Sequence, residues 1–355
     1  MATDEARIDD TALIYHPDRV AEWLTRGDCY PINVEIGINN WCNHSCVFCG
    51  LDWVPRKERR FLSGDLLEVT FKDMAAHGVR SVTFSGESEP PLHPNLVRIV
   101  QDGKKSGLDI ALATNGERFD IQRAEQILPY LTWMRFSIDA ATPETHAKVH
   151  RHGRSQDVVF QRVIENIRAA ADYKRRNDLP VTIGTQMVVV PDNAGEVEML
   201  AELMFDAGVD NFQVKPYSHH PCSNHPDLSV DLSGAGLKEK LAKYGKFVVY
   251  REQAVEHNRG KKYDKCRALP FYCLIDSGGN VMPCNMFYND PNSMYGNLHE
   301  TNGSFSAIWE SKRRREVVDR ISSMSLENCR AACVPAAKNA YLHRLVNPHP
   351  HDNFA

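Results

Sequence analysis

The sequence predicts an α/β fold, a parallel sheet built from six strand–helix units with a smaller C-terminal domain behind it. Short apolar runs alternate with longer amphipathic segments from residue 32 to 216, the pattern of βαβ units around a parallel sheet. Beyond residue 217 the alternation stops. The ten cysteines are bunched, three between Cys42 and Cys49 and five beyond residue 265. Six units are too few for a closed eight-fold barrel, so the sheet is an open, partial (β/α)6 TIM-like barrel or is doubly wound.

The elements follow in order. Strands are predicted at 32–37, 81–85, 109–114, 134–139, 181–190 and 211–216, with helices between them at 63–77, 94–106, 120–128, 156–176 and 194–207. The helix at 156–176 shows the three-to-four spacing Val159, Val163, Ile167, Ala170. After the last strand come a His/Pro/Asn-rich stretch at 218–226, an amphipathic helix near 234–245 and a hairpin turn at Gly278-Gly279-Asn280. The expected organisation is an N-terminal extension (1–30), a barrel (31–217), a linker with a helix (218–260), a cysteine-bearing domain (261–340) and a tail (341–355).

Composition narrows the function. With 42 Lys+Arg against 46 Asp+Glu and 42% hydrophobic residues, the chain is an ordinary globular protein of net charge −4. That balance gives no electrostatic reason to bind nucleic acid. No apolar run reaches the roughly 18 residues of a membrane span, and the first thirty residues do not read as a secretory signal. A cytoplasmic protein is expected, and its clustered cysteines then read as metal ligands or reactive thiols rather than disulfides.

In α/β sheets the ligand site lies at the carboxyl ends of the strands. Cys42–Cys49 follow strand one, 86–90 follow strand two and Thr114-Asn115-Gly116 follow strand three. Ser137 and Asp139 end strand four, Gln186 lies on strand five and Lys215 ends strand six. Three thiolates at spacing x3 then x2 can hold three irons of a [4Fe–4S] cube and leave the fourth open. The plainer alternative is a structural zinc on the same cysteines with His44. Cys266, Cys284, Cys329 and Cys333 suit a fully ligated cluster or equally a structural zinc, and Cys273 is a further candidate ligand.

Cys42-x3-Cys46-x-Phe48-Cys49 resembles the signature of the radical S-adenosylmethionine (SAM) enzymes. The stretch 85–90 resembles that family's Gly-Gly-Glu-Pro motif, with Ser85 in place of the first Gly and Ser88 and Glu89 between Glu87 and Pro90. Ser137-Ile138-Asp139 and Thr114-Asn115-Gly116 resemble family strand ends, so the likeness spans 32–216. It implies a partial barrel whose open iron binds SAM. Reductive cleavage then yields a 5′-deoxyadenosyl radical that removes a hydrogen atom from substrate. Phe48, Gly86, Glu87, Ser137 and Gln186 are the implied SAM contacts. Cys266-x12-Gly279-x4-Cys284, with 295–298 and Ile308-Trp309, resembles the SPASM or twitch auxiliary-cluster domains across 266–333. That implies one auxiliary [4Fe–4S] cluster on Cys266, Cys284, Cys329 and Cys333, able to accept an electron from a substrate radical.

Other residues carry two readings each. Cys222 is a hydrogen-atom donor for an epimerase or a loop thiol without a role. His219, His220 and His225 are metal ligands or part of a solvated loop. Lys215 and Tyr217 face the expected cavity, where a desolvated Lys215 would serve as a base. Cys29 packs in an apolar site. The basic runs 56–60 and 312–315 read as solvated faces, the first also as a dock for an acidic flavodoxin or ferredoxin. With only some thirty residues before strand one, the expected substrate is a small molecule, a sugar, aminocyclitol or nucleoside sugar, that is dehydrogenated or epimerised. The rivals are a peptide- or protein-modifying maturase and a non-enzymatic Fe–S or zinc-binding electron carrier.

Overall fold

The computed structural model describes residues 12–56, 58–232, 235–251, 254–255 and 260–354. Six parallel strands lie side by side in chain order: β1 (Asn33–Ile36), β2 (Ser81–Phe84), β3 (Asp109–Thr114), β4 (Trp133–Ser137), β5 (Thr182–Val189) and β6 (Asn211–Pro216). β7 (Val248–Tyr250) extends the sheet beyond β6 and β8 (Tyr272–Ile275) extends it beyond β1, both in parallel. β9 (Asn280–Met282) and β10 (Gly296–Asn297) add antiparallel strands at the β8 edge, completing a ten-stranded sheet. The sheet is open, and its flanking helices share one apolar core with one face of the strands while the other face is polar, so the partial barrel is the correct alternative.

Period-two alternation gives the sheet two unlike faces. On β1, Val34 and Ile36 are buried while Asn33 and Glu35 are half-buried on the other side. On β4, Met134 and Phe136 alternate in the same way with Trp133, Arg135 and Ser137. The apolar face packs under the helices Gly64–Ala76, Leu96–Lys105, Ile121–Ile127, Gln156–Arg176 and Val197–Asp206. Val159, Val163, Ile167 and Ala170 turn inward as their spacing requires. In-register pairing then lines the concave face with polar side chains: Ser137 beside Gln186, Gln186 beside Gln213, and Lys215 beside Val188.

One helix departs from expectation. Pro143–His150 follows β4, capped by Thr142, whose side chain accepts from Thr145 N. Its inward face is His146, Val149 and His150, a polar face that no apolar periodicity betrays. The helix expected near 234–245 is Ala235–Leu241, followed by a 3-10 segment, Ala242–Phe247, interrupted where Gly245 takes φ 54°; residue 234 lies outside the described residues.

The hairpin at 278–280 forms as predicted, with Asp276 Oδ1 accepting from Gly278 N and Asn280 N at 2.9 Å each and Gly279 at φ +79°. Ile275 and Val281 beside the turn, with Tyr295, Phe305, Ile308 and Trp309 of the later segments, belong to the same apolar core as the barrel strands. Arg314 corrects the reading of 312–315 as a solvated face. It is buried, pairs with Asp28 (2.6 and 2.8 Å) and stacks 3.7 Å over the Trp309 ring. Cys29 is buried as expected, its Sγ 3.7 Å from Pro270 O. Among the described residues no helix is long and apolar enough to cross a membrane.

Candidate active site

The loop after β1 is pinned on both sides. Buried Asn39 accepts from Trp41 N (2.9 Å) and donates to Glu89 O (3.1 Å). Asn40 accepts from Arg60 N (2.8 Å) and donates to Glu58 O (2.7 Å). Ser45 N and Val47 N donate to His150 O (3.0 Å) and Val149 O (2.9 Å) on the helix after β4. The loop so held folds Cys42, Cys46 and Cys49 into one another's electrostatic field. Burial, then Glu89, pushes the Cys42 thiol up to about 12, and burial with the other two thiols holds Cys46 well above its ordinary value. Donors point at one sulfur, with His44 N 3.4 Å and Asn115 Nδ2 3.9 Å from Cys42 Sγ, and His150 Nδ1, a donor in one of its two tautomers, lies 3.3 Å from Cys46 Sγ. Sulfurs that accept such bonds suit cluster-ligating cysteines.

Behind the loop lies a buried histidine group that sequence reasoning missed. His44 Nε2 is 3.0 Å from Glu117 Oε2 and its Nδ1 3.4 Å from His150 Nδ1. His150 Nε2 is 3.3 Å from Asp139 Oδ2, and His146 stacks on His150 at 4.3 Å. Burial alone would raise the Glu117 carboxyl, but hydrogen bonds from His44 and Arg154 overcome it and hold Glu117 down to about 2. Burial lifts Asp139 to about 7 against the hydrogen bond from Val188 N. His44, Cys46 and His150 place ligand atoms within 4.8 Å of one another. His44 Nε2 is engaged by Glu117 and its Nδ1 faces His150. The spacing His146-x3-His150-x-His152 was the one signal that could have flagged this group.

Around the rim the expected residues fall into place unevenly. Phe48 meets the His150 ring edge-on at 5.8 Å. Ser137 and Gln186 are in-register neighbours. Gly86 takes φ +94°, and a Cβ there would meet Tyr288 Oη at 3.1 Å and Gly37 Cα at 3.6 Å. Glu87 Oε1 accepts from Ser277 N (2.8 Å) in the β8–β9 turn, and burial raises its carboxyl. Glu89, read from sequence only as a spacer, is buried beside Cys42, accepts from Asn115 N (2.9 Å) and from Thr114 Oγ1, and is pushed up to about 8 by burial. Asn115 Nδ2 in turn donates to Asn43 Oδ1 (2.9 Å), tying strand three's end to the cysteine loop.

The concave lumen below the rim is charged. Arg135 on β4, Arg251 just past β7 and Glu35 on β1 share it with Gln186, Gln213 and Lys215. An arginine in the middle of an alternating strand was the available signal for Arg135. Lys215 is half-buried at the end of β6, whereas Cys222 is exposed on the following loop. The loop histidines do not converge. His219 Nδ1 is 3.1 Å from Tyr217 Oη, His220 stacks on Trp53 at 5.4 Å, and His225 Nε2 is 3.8 Å from Asp52.

The second thiol group is also brought together. Cys266, Cys284, Cys329 and Cys333 line one pocket walled by Leu269, Met286, Phe287, Ile321 and Leu326. Asn339 Nδ2 donates to Cys266 Sγ (3.5 Å) and Tyr263 Oη sits 3.7 Å from Cys333 Sγ. Burial keeps these thiols protonated, with Cys333 pushed up to about 12. Four part-buried thiols converging in an apolar pocket gain little from one another, so their chemistry fits a metal centre that displaces their protons. Cys273 is fully buried on β8 in the apolar core with Val34 and Ile275, and is absent from the pocket lining.

Comparison with known proteins agrees. The Radical SAM superfamily profile matches residues 36–204, and the SPASM profile, an iron–sulfur cluster-binding domain, matches 266–334. The AdoMet-dependent heme synthase of Methanosarcina barkeri is 25% identical over 300 residues, 76% of this chain and 79% of that protein. A tungsten-containing aldehyde ferredoxin oxidoreductase cofactor-modifying protein of Pyrococcus furiosus is 21% identical over 78% of this chain and 80% of its own length. A probable GTP 3′,8-cyclase of Methanocaldococcus jannaschii is 29% identical, but the match covers only 45% of that protein. In fold, Streptococcus suis SuiB bound to precursor peptide SuiA overlays 95% of this chain and 78% of its own (TM-score 0.69, 16% identity). Native anSMEcpe with bound AdoMet overlays 89% of this chain and 98% of its own (TM-score 0.62, 15% identity). A cysteine loop on the rim of an open parallel barrel, with a second thiol pocket built from the strands that extend its first edge, therefore has a family: the chain belongs to the radical SAM superfamily and carries a SPASM iron–sulfur domain.

Proposed function

We propose that this radical SAM enzyme oxidises a peptide whose reacting side chain enters the barrel lumen. Bound, its [4Fe–4S] cluster and SAM supply a one-electron cleavage that delivers a carbon radical, and the auxiliary cluster supplies an electron acceptor. Cys42, Cys46 and Cys49 would hold the first cluster, and Cys266, Cys284, Cys329 and Cys333 the second. Phe48, Gly86, Glu87, Ser137 and Gln186 would position SAM above the lumen.

The observation that carries the reading is the placement of the three-thiol loop directly on the rim of a lumen lined with polar side chains. With those groups bound, the oxidation would remove from the substrate one hydrogen atom to the nucleotide fragment, one electron to the auxiliary centre and one proton. Lys215, at the end of β6, is the candidate to take that proton. In an epimerisation Cys222 would instead return a hydrogen atom. An acidic flavodoxin or ferredoxin is the proposed electron donor.

A peptide substrate is supported by the fold shared with SuiB and anSMEcpe, both solved with peptides bound, across most of each chain. A small polar molecule such as a sugar, aminocyclitol or nucleoside sugar is the second reading. It is favoured by the charged lumen and by the heme synthase and cofactor-modifying relatives, which are matched over about four-fifths of their length.

The test is anaerobic incubation of iron-loaded enzyme with SAM, dithionite and deuterated candidates, following label into 5′-deoxyadenosine. Label from peptides encoded beside this chain supports the proposal. Label from sugars alone selects the second reading. Absence of 5′-deoxyadenosine from a fully loaded sample would leave a non-enzymatic electron carrier.

A further inference from the structure

The two cysteine groups meet at one side chain. Arg330 lies between Cys329 and Cys333 in the chain, yet it is not among the residues lining their pocket. It reaches across to the barrel rim instead. Its Nε (2.9 Å) and Nη2 (2.5 Å) both donate to Ser218 O, two residues past the end of β6. Ala332 N donates to Ser218 Oγ (3.2 Å), so the 329–333 segment is fastened to that residue by side chain and by backbone.

The far side of the same guanidinium meets the three-thiol loop. Gly50 directly follows Cys49, and a Cβ built on it would stand 3.1 Å from Arg330 Nη1 and 3.5 Å from Cζ and Nη2. The fork therefore lies against the Gly50 backbone, in the space a side chain there would take. Trp53 Nε1 donates to Gly50 O (3.2 Å) and fixes that backbone. Arg330 is half-buried, and among the described residues no carboxylate pairs with it. Burial presses its guanidinium down, whereas Tyr217, Cys333 and Cys49 hold it up. One cation thus stands in the field of a cysteine from each group.

Other cations act on one group each. Arg56 acts on Cys42 in the first. Lys261, whose Nζ donates to Cys329 O (3.1 Å), acts on Cys329 and Cys333 in the second. An iron–sulfur cluster gains one negative charge on reduction, and a nearby cation away from bulk water favours that state. We propose that Arg330 is a positioning residue shared by the two clusters, its guanidinium fixed on Ser218 O so that one charge raises the reduction potential of both. The proposal rests on the assignment of Cys49 and Cys333 to the two clusters. It names the side chain through which the C-terminal segment acts on the rim.

The test is a redox titration of the reconstituted holoenzyme, followed by electron paramagnetic resonance with and without SAM. SAM alters the signal of the cluster it binds, which tells the two apart. Iron is measured first, with about eight atoms per chain expected in wild type. Arg330→Gln keeps a donor for Ser218 O and removes the charge. Both clusters should then become about tenfold harder to reduce, a fall of about 59 mV for one electron. Arg330→Lys restores the charge and should bring both potentials back toward wild type. Lys261→Gln should lower the auxiliary potential alone. A midpoint belongs to the clusters that are loaded, so a variant that takes up less iron still reports it.

Two clusters with unmoved potentials in Arg330→Gln would overturn the proposal. So would a fall confined to either cluster, because the charge would then not be shared. Potentials as low in Arg330→Lys as in Arg330→Gln would assign the effect to the packing of the fork rather than to its charge, and equally overturn it. A wild type holding a single cluster would reject the ligand assignment and this proposal together, whereas the other adverse outcomes strike this proposal alone.

Discussion

At the scale of single residues, a cysteine's neighbours decide what its loss costs. Cys273 sits in the apolar core, outside the thiol pocket. Cys273→Ala should therefore cost about 1 kcal/mol in packing and leave the iron content unchanged. Cys266→Ala and Cys284→Ala should each remove a ligand and lower bound iron by up to about four atoms per chain. Iron and sulfide assays on anaerobically reconstituted protein separate the two outcomes, and iron loss from Cys273→Ala equal to that from Cys266→Ala would contradict the pocket assignment. A different residue contributes to the acid response. His220 is stacked on Trp53, and burial, then the Arg330 charge, pushes it down to about 4. The unfolded chain protonates this ring below about 6.5 while the folded protein does not. The unfolded state then binds more protons, so stability falls as pH drops from about 6.5 toward about 4. His220→Gln should flatten the dependence of unfolding free energy on pH across that window by one proton, as read from urea melts at stepped pH.

At the scale of elements, the helix Pro143–His150 is the support of the cysteine loop. Thr142 caps it, and Glu196 holds that cap by accepting from Ala141 N (2.6 Å), Thr142 Oγ1 (2.8 Å) and Thr145 Oγ1 (2.6 Å). The helix then presents His146 and His150 behind Cys46 and two carbonyls to the loop. Thr142→Ala should cost about 1–2 kcal/mol and speed amide exchange at 143–150, and slower iron uptake should accompany it. Exchange at 143–150 unchanged from wild type would show that the cap does not hold the helix. This element also marks where the sequence stops being legible. The six strands and five flanking helices announce themselves through alternation and through Val159, Val163, Ile167 and Ala170, because apolar burial writes a period into the chain. The rim cysteines were legible because their spacing has one main chemical use. The supporting shell was not. Glu89 is met by Thr114 and Asn115, Glu117 by His44, and His44 by His150, across 25 to 106 residues, and no local pattern encodes a partner so distant.

At the scale of the whole molecule, the cysteine-bearing segment is joined to the barrel by backbone as well as by packing. β8 pairs with β1 in parallel from Asn33↔Tyr272 to Ile36↔Ile275, a contact that reading strands in chain order does not anticipate. One apolar core runs from Phe71 and Phe84 to Tyr295, Phe305 and Trp309. The pair between Asp28 and buried Arg314 ties the N-terminal segment to the far end of the chain. Glu87 on the rim of the barrel is held by Ser277 N in the β8–β9 turn. A barrel deprived of 261–354 would expose the edge of β1 and the apolar side chains that now pack on it, and unpaired edges and stripped cores favour aggregation. Heating or urea should therefore unfold the barrel and the cysteine-bearing segment in one cooperative transition, with tryptophan fluorescence and far-ultraviolet circular dichroism falling on a single curve. Trp309 reports the C-terminal core and Trp133 the barrel lumen, so Trp→Phe variants leaving either one as probe should give the same midpoint. Midpoints that separate would mean that the β1–β8 seam opens first, and the thiol pocket would then be a unit that folds by itself.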